Sequence, residues 1–235
     1  MLTAAVTRFG TVGVRSRRIW PVIPVISPGT AGADASGQAP PDPALPGAPP
    51  PAEDPPAAAA EGNEVTALDT ASLIIRLVVG LTIVAHGYNH VFGPGGIQGT
   101  AGWFASMGLK PGIVHAWTSG LLEIATGFGL AFGFLNALSA GAIIGIMVVA
   151  GITAHRPNGF FIFKPGQGYE YVLMISVVTL GDAILGPGKA SLDHAFGIEM
   201  HGWTGGLVAL ILGVGGAALL LGTSWRPEKK PVDAG

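Results

Sequence analysis

Three charged side chains stand where almost nothing else is charged: Arg76, Glu123 and Asp182 interrupt long apolar runs of this 235-residue sequence. An ionised group in hydrocarbon costs several kcal/mol unless it is paired or reaches water, so each must turn inward. At about 1.5 Å per helical residue, Arg76 lies about 8 Å from the N-terminal end of its run. Asp182, in a run of opposite direction, reaches a similar depth from the same side. Glu123 sits near the middle of its run, about 16 Å in, between the levels of Arg76 and His86. One reading is a buried ion-pair network of Arg76 with Asp182, extended to Glu123, that fixes helix register and does no chemistry. The other is a membrane carboxylate beside histidine that holds a proton or contacts a quinone-like headgroup.

Histidines supply a second constellation. His86 and His90 are four apart on one helical face, His115 opens the next apolar run and His155 closes the third, all toward one side of the membrane. Glu170, opening the fourth run, and Tyr169 beside it reach the same level. Two histidines at i and i+4 can share a metal, and imidazole can ligate haem or donate to a quinone oxygen. Interfacial histidines also commonly satisfy loop carbonyls, and the spacing assigns no metal site. The candidate polar pocket therefore comprises Arg76, His86, Glu123, His155, Glu170 and Asp182. His194 and His201 fall on the opposite side and take a structural reading.

The elements that position these residues follow from composition. The chain is 49% hydrophobic and 11% charged, with a mean hydropathy of +0.54, so its apolar excess must face lipid. A bilayer core about 30 Å thick calls for runs of roughly 20 apolar residues. Five are found: about Ala71 to Phe92, Gly112 to Phe134, Asn136 to Ala154, Tyr171 to Leu185 and Trp203 to Gly222. The fourth is short and must borrow Glu170 and Gly186. The fold expected is an all-α integral membrane protein, with a four-helix transmembrane core over 71–193, a fifth transmembrane helix within 194–224 and a basic C-terminal tail over 225–235.

Residues 1–70 read as a disordered arm, because the Pro/Ala/Gly-rich stretch from Ser27 to Asn63 cannot bury enough apolar surface to offset ordering entropy. Ala31-Gly32-Ala33 resembles a signal-peptidase site, but Pro21 and Pro24 break the apolar run before it. A net charge of -2 gives no field for nucleic acid. With no cysteine, thiol nucleophiles, disulfides and cysteine-held iron–sulfur clusters are excluded.

Connections set the topology. Leu135 and Asn136 barely separate the second and third helices, which must be antiparallel neighbours. Gly93 to Pro111 is long enough for a surface helix with Trp103, Phe104 and Met107 on one apolar face, and Pro157 to Tyr169 makes a second interfacial loop. Lys110, Arg156 and Lys164 in these loops, with Arg226, Lys229 and Lys230 after the fifth helix, place this side inside. Ala209, Gly213 and Ala217 form a small-residue seam suited to packing in the bundle or, second in preference, to a dimer contact.

Motifs along the chain resemble those of the DoxX family of membrane proteins. The run Ile75 to Leu81, Ala85-His86-Gly87 and Phe92-Gly93 is similar to the family's opening. Gly99-Thr100-Ala101 with Trp103 to Leu109, then Gly120-Leu121-Leu122-Glu123 with Gly127, resemble its first loop and its second helix with a characteristic glutamate. His155 to Phe161, Gly168 to Tyr171, Gly186-Pro187-Gly188 and Ser191-Leu192-Asp193 complete an ordered set from Ser72 to Asp193. His90 stands where many relatives carry lysine, and the fifth helix and the arm lie outside the common core.

The resemblance implies a four-helix core in the bacterial cytoplasmic membrane and a superfamily that includes the quinone-linked DoxD subunit of thiosulfate:quinone oxidoreductase. It also implies soluble redox partners such as superoxide dismutase and a thiosulfate sulfurtransferase. The leading expectation is a membrane redox-associated subunit with a polar pocket for a quinone or a small sulfur compound. It would work through a partner, because the chain has no electron-carrier motif of its own. A scaffold that holds soluble redox enzymes at the membrane is the alternative. A transporter ranks last, because no inverted repeat or broken helix is found.

Overall fold

The computed structural model describes residues 64–227, and all regular structure among them is helical. The arm upstream of residue 64 and the tail beyond residue 227 lie outside the described residues. The first helix, α1 (Ala67–Phe92), opens four residues before the expected boundary. Thr66 explains the early start. Its hydroxyl accepts from the Asp69 amide at 3.2 Å while the Asp69 carboxylate accepts from the Thr66 amide at 2.8 Å, a reciprocal cap that satisfies two orphan donors.

After α1 comes the short α2 (Gly96–Ser106), then α3 (Gly112–Phe132) and α4 (Asn136–Ala150). The last of these runs on through a π-helical turn, Gly151–His155, and a 3-10 turn, Arg156–Asn158. The chain continues with α5 (Glu170–Leu185), the one-turn α6 (Leu192–Phe196) and α7 (Gly202–Ser224). Three of the five expected spans are long and apolar enough to cross a bilayer by length and composition: α1, the continuous Asn136–Asn158 helix and α7. The other two differ for separate reasons. At 21 residues α3 has the length, but His115 and Glu123 dilute its hydropathy. With 16 residues, α5 is about 24 Å long, short of a full hydrocarbon core.

Packing follows the glycines. A Cβ at Gly80 would stand 2.5 Å from the Gly127 carbonyl oxygen, and one at Gly87 would stand 2.7 Å from that of Gly120. The α1 and α3 backbones thus touch along their length, which requires small residues on both sides. In the same way α4 packs on α7. The seam Ala209, Gly213 and Ala217 is buried against α4 of the same chain, with a Cβ at Gly213 placed 2.7 Å from the Gly141 carbonyl oxygen. The hairpin between α3 and α4 turns on Gly133 and Leu135, both at positive φ, and brings the two helices side by side as expected.

Apolar side chains also cover the outside of the bundle: Leu68 on α1, Val177 on α5, and Ile211 and Leu219 on α7 are all more than half exposed. Lipid contact is the arrangement that makes such a surface stable.

Candidate functional site

The six residues nominated for one polar pocket occupy four places. Arg76 and Asp182 are both fully buried, with 0% exposure, in a cluster where α1, α4 and α5 meet. They are bridged rather than directly paired: the Arg76 Nε donates to the Ser72 hydroxyl at 3.4 Å, and that hydroxyl lies 2.8 Å from Asp182 Oδ1. The guanidinium also donates to the carbonyls of Ala131 at 3.3 Å and Ala190 at 2.8 Å. The Asn136 amide donates to Asp182 Oδ2 at 3.1 Å. Neighbouring Asp193 accepts the backbone amides of Leu135 and Asn136, each at 2.7 Å, and so caps α4, whose own N-cap residue Leu135 has no side-chain acceptor. With its groups satisfied by fixed backbone and side chains, this cluster is a lock between helices.

Glu123 lies apart from the Arg76 cluster, one of the two neighbours that its depth allowed. Close approach of Gly87 to Gly120 brings α3 against α1, and Glu123 lands beside His90, whose Nε2 is 3.5 Å from Glu123 Oε1. The hydroxyl of Ser119, one turn earlier on α3, donates to the same oxygen at 2.5 Å. The second oxygen, Oε2, is buried and has no protein partner, and the same is true of Nε2 of nearby His115.

Both residues line a partly enclosed cavity of about 430 Å³. Its polar end carries Glu123, His90, His115 and Ser119. Its remaining wall is apolar and runs along α4 and α7 past Gly141, Gly145, Leu212, Gly216 and Leu220. Phe104 and Met107 close the near end. In the expected surface helix, therefore, the apolar face of α2 is turned into the bundle, and Phe104 is 7% exposed.

His86 and His155 belong to a third place, an open vestibule of about 600 Å³ that also exposes Asn89, Thr100, Gln167 and Tyr171. His155 is fixed there on both ring nitrogens: Nδ1 is 3.0 Å from the Gln167 carbonyl, an acceptor, so Nε2 accepts from the Tyr171 hydroxyl at 2.7 Å. Glu170 belongs to neither cavity; its Oε2 accepts the Ile162 amide at 3.1 Å and ties the interfacial loop to the start of α5.

Sequence reasoning did not single out Ser119, Ser72, Asn136 or Tyr171. Ser119 was within reach, because a serine four residues before a buried glutamate shares its helical face. Tyr171 meets His155 only across a loop, which no local spacing reveals.

An all-helical bundle with apolar outer faces defines a multi-pass membrane protein, here with a half-enclosed cavity that has one polar end. The model of the DoxX family matches residues 71–156, so the chain carries a DoxX domain there. The matched stretch holds α1 to α4 with Arg76, His86, His90, His115, Glu123 and His155, and it ends before α5 and α7. No curated protein matches the chain. No solved structure matches it either.

Among the described residues no three His, Asp or Glu side chains are grouped to hold a metal ion. The cavity's polar end could meet a hydrogen-bond acceptor such as a quinone carbonyl, and its apolar wall could meet a ring or tail. Glu123 Oε2, when protonated, and His115 Nε2, as the N–H tautomer, are the donors such an acceptor would meet.

Proposed function

We propose that this protein is a redox-associated subunit of the bacterial cytoplasmic membrane that binds a quinone in the Glu123 cavity. The observation that carries the reading is the divided state of the Glu123 carboxyl, with Oε1 held by Ser119 and Oε2 unpartnered in an otherwise apolar cavity. A buried carboxyl with an unmet oxygen costs about 1–3 kcal/mol or more, a penalty that a ligand's hydrogen bond removes. The cavity volume falls within the usual range for small-molecule sites, about 300–1,000 Å³. The apolar wall toward α7 suits a quinone tail. Electrons must come from a partner, because without cysteine the chain offers no thiol or iron–sulfur carrier. Soluble redox enzymes such as a superoxide dismutase or a sulfurtransferase, docking on the loop side, are the partners proposed.

Purification in mild detergent followed by mass spectrometry tests this. Wild-type protein is expected to retain a quinone, and Glu123→Leu to lose at least about tenfold of it, the equivalent of about 1.4 kcal/mol. In cells, Glu123→Gln is expected to abolish quinone-dependent oxidant resistance. Equal quinone in wild type and Glu123→Leu would remove the reading, and soluble enzymes that co-purify regardless of Glu123 would point to a scaffold instead.

A further inference from the structure

The two cavities share a wall. His90, Trp103, Met107, Thr153 and Ala154 line both the open vestibule and the partly enclosed cavity. Trp103, Met107 and Ala154 carry no exchangeable proton suited to transfer, and the Thr153 hydroxyl is committed to the Val149 carbonyl at 2.9 Å. His90 is the remaining group of the partition. Trp103 stacks beside its ring at 6.0 Å between centroids and Phe104 meets it edge-on at 5.5 Å, so aromatic surface flanks the imidazole on two sides. Thr100 holds the backbone in place by donating to the His90 carbonyl at 2.8 Å.

We infer that His90 is a proton-transfer residue that joins the open vestibule to the carboxyl of Glu123; this rests on the reading of the Glu123 cavity as a ligand site. The step balances as follows. His90 takes one proton from a hydronium or buffer acid in the vestibule and gives the proton on Nε2 to Glu123 Oε1. As Oε1 gains that proton, Oε2 releases one to an anionic oxygen of a quinone reduced by the partner, so both side chains return to their starting charge. Rotation of the ring brings Nε2 to vestibule water, where exchange restores the first tautomer of the imidazole, and rotation of the carboxyl turns its proton back toward the cavity. At 3.5 Å the Nε2 and Oε1 atoms are at the outer edge of hydrogen-bond range, a gap that a small ring rotation closes and that is common at such sites without ligand. The other titratable groups facing His90 are His86 on its own helix, His115 on α3, His155 at the end of α4 and Tyr171 on α5. Of these, His115 lines only the partly enclosed cavity and the rest only the vestibule. None spans the partition.

The test uses the full-length protein in lipid nanodiscs. Infrared difference spectroscopy follows the protonated carboxyl band, assigned by its loss in Glu123→Gln, and its rate of shift after mixing into D2O. His90→Phe, which keeps a ring against Trp103 and Phe104, is expected to slow this exchange at least tenfold, whereas Tyr171→Phe leaves it within twofold. Added imidazole is expected to restore the rate in His90→Ala, a rescue that a purely structural role would not give. His90→Gln serves as the second variant should His90→Phe not fold.

Exchange at the wild-type rate in His90→Phe, or in His90→Gln where that variant is used, overturns the inference, as does the lack of any Glu123 carboxyl band at every pH the protein tolerates. Quinone content measured on the same samples separates the two readings. Slowed exchange with no quinone in any form would leave the path standing and remove the quinone site. Bound quinone with unslowed exchange would do the reverse.

Discussion

Arg76 illustrates how a full charge is kept inside a membrane protein. Its guanidinium donates to three acceptors, two of them backbone carbonyls that cannot move away, and its link to Asp182 runs through the Ser72 hydroxyl. Gly133 is part of the same arrangement, since any Cβ there would collide with the guanidinium. Removing one member should therefore cost more than the net worth of the pair, because the others stay buried and lose their partner. Arg76→Met is expected to destabilise the protein by about 3 kcal/mol, read from thermal or denaturant unfolding in detergent. Adding Asp182→Asn should recover part of that loss rather than add to it, the mark of coupled residues. Strict additivity of the two losses would show that they do not act together.

At the scale of helices, glycines decide both how close the elements come and how much room is left between them. Gly80 and Gly127 have no space for a side chain, whereas a Cβ at Gly216, on the face of α7 that lines the cavity, would meet no atom within 4 Å. These positions make opposite predictions from similar substitutions. Gly80→Leu should separate α1 from α3 and lower the unfolding temperature markedly, because backbone lies in its path. Gly216→Leu should keep or raise thermal stability, since leucine is the better helix former by roughly 0.8 kcal/mol. It should also fill the cavity, cutting retention of long-tailed quinone at least fivefold while a tail-less analogue still binds. Unchanged long-tail binding in Gly216→Leu would show that the tail does not run along α7.

Taken whole, the molecule joins a DoxX domain over residues 71–156 to further helices that complete its cavity. One wall, from Leu212 to Leu220, comes from α7, beyond the matched domain. In lipid, α7 is not needed to shield α4 from water, so its loss should leave the rest inserted. A chain ending at Met200 is expected to fractionate with membranes and yet retain less than a tenth of the wild-type quinone, measured by mass spectrometry of the extracted protein.

Much of this was legible in the residues alone. Apolar run length and the turns between runs are local properties, so the membrane class, the helix order and the α3–α4 hairpin follow without knowledge of the fold. The capping box at Thr66 and Asp69 was also local, and it placed the start of α1 at Ala67 rather than Ala71. Depth along a helix, too, can be counted from sequence, and it correctly set Arg76 near Asp182. What depth does not contain is azimuth. Whether Glu123 turns toward Arg76, His86 or His90 depends on which faces of α1 and α3 meet, and that was set by the contact of Gly87 with Gly120. The tertiary structure alone therefore divided one imagined pocket into a lock, a cavity, a vestibule and the loop tie of Glu170, because side chains at equal depth interact only when helix packing points them at each other.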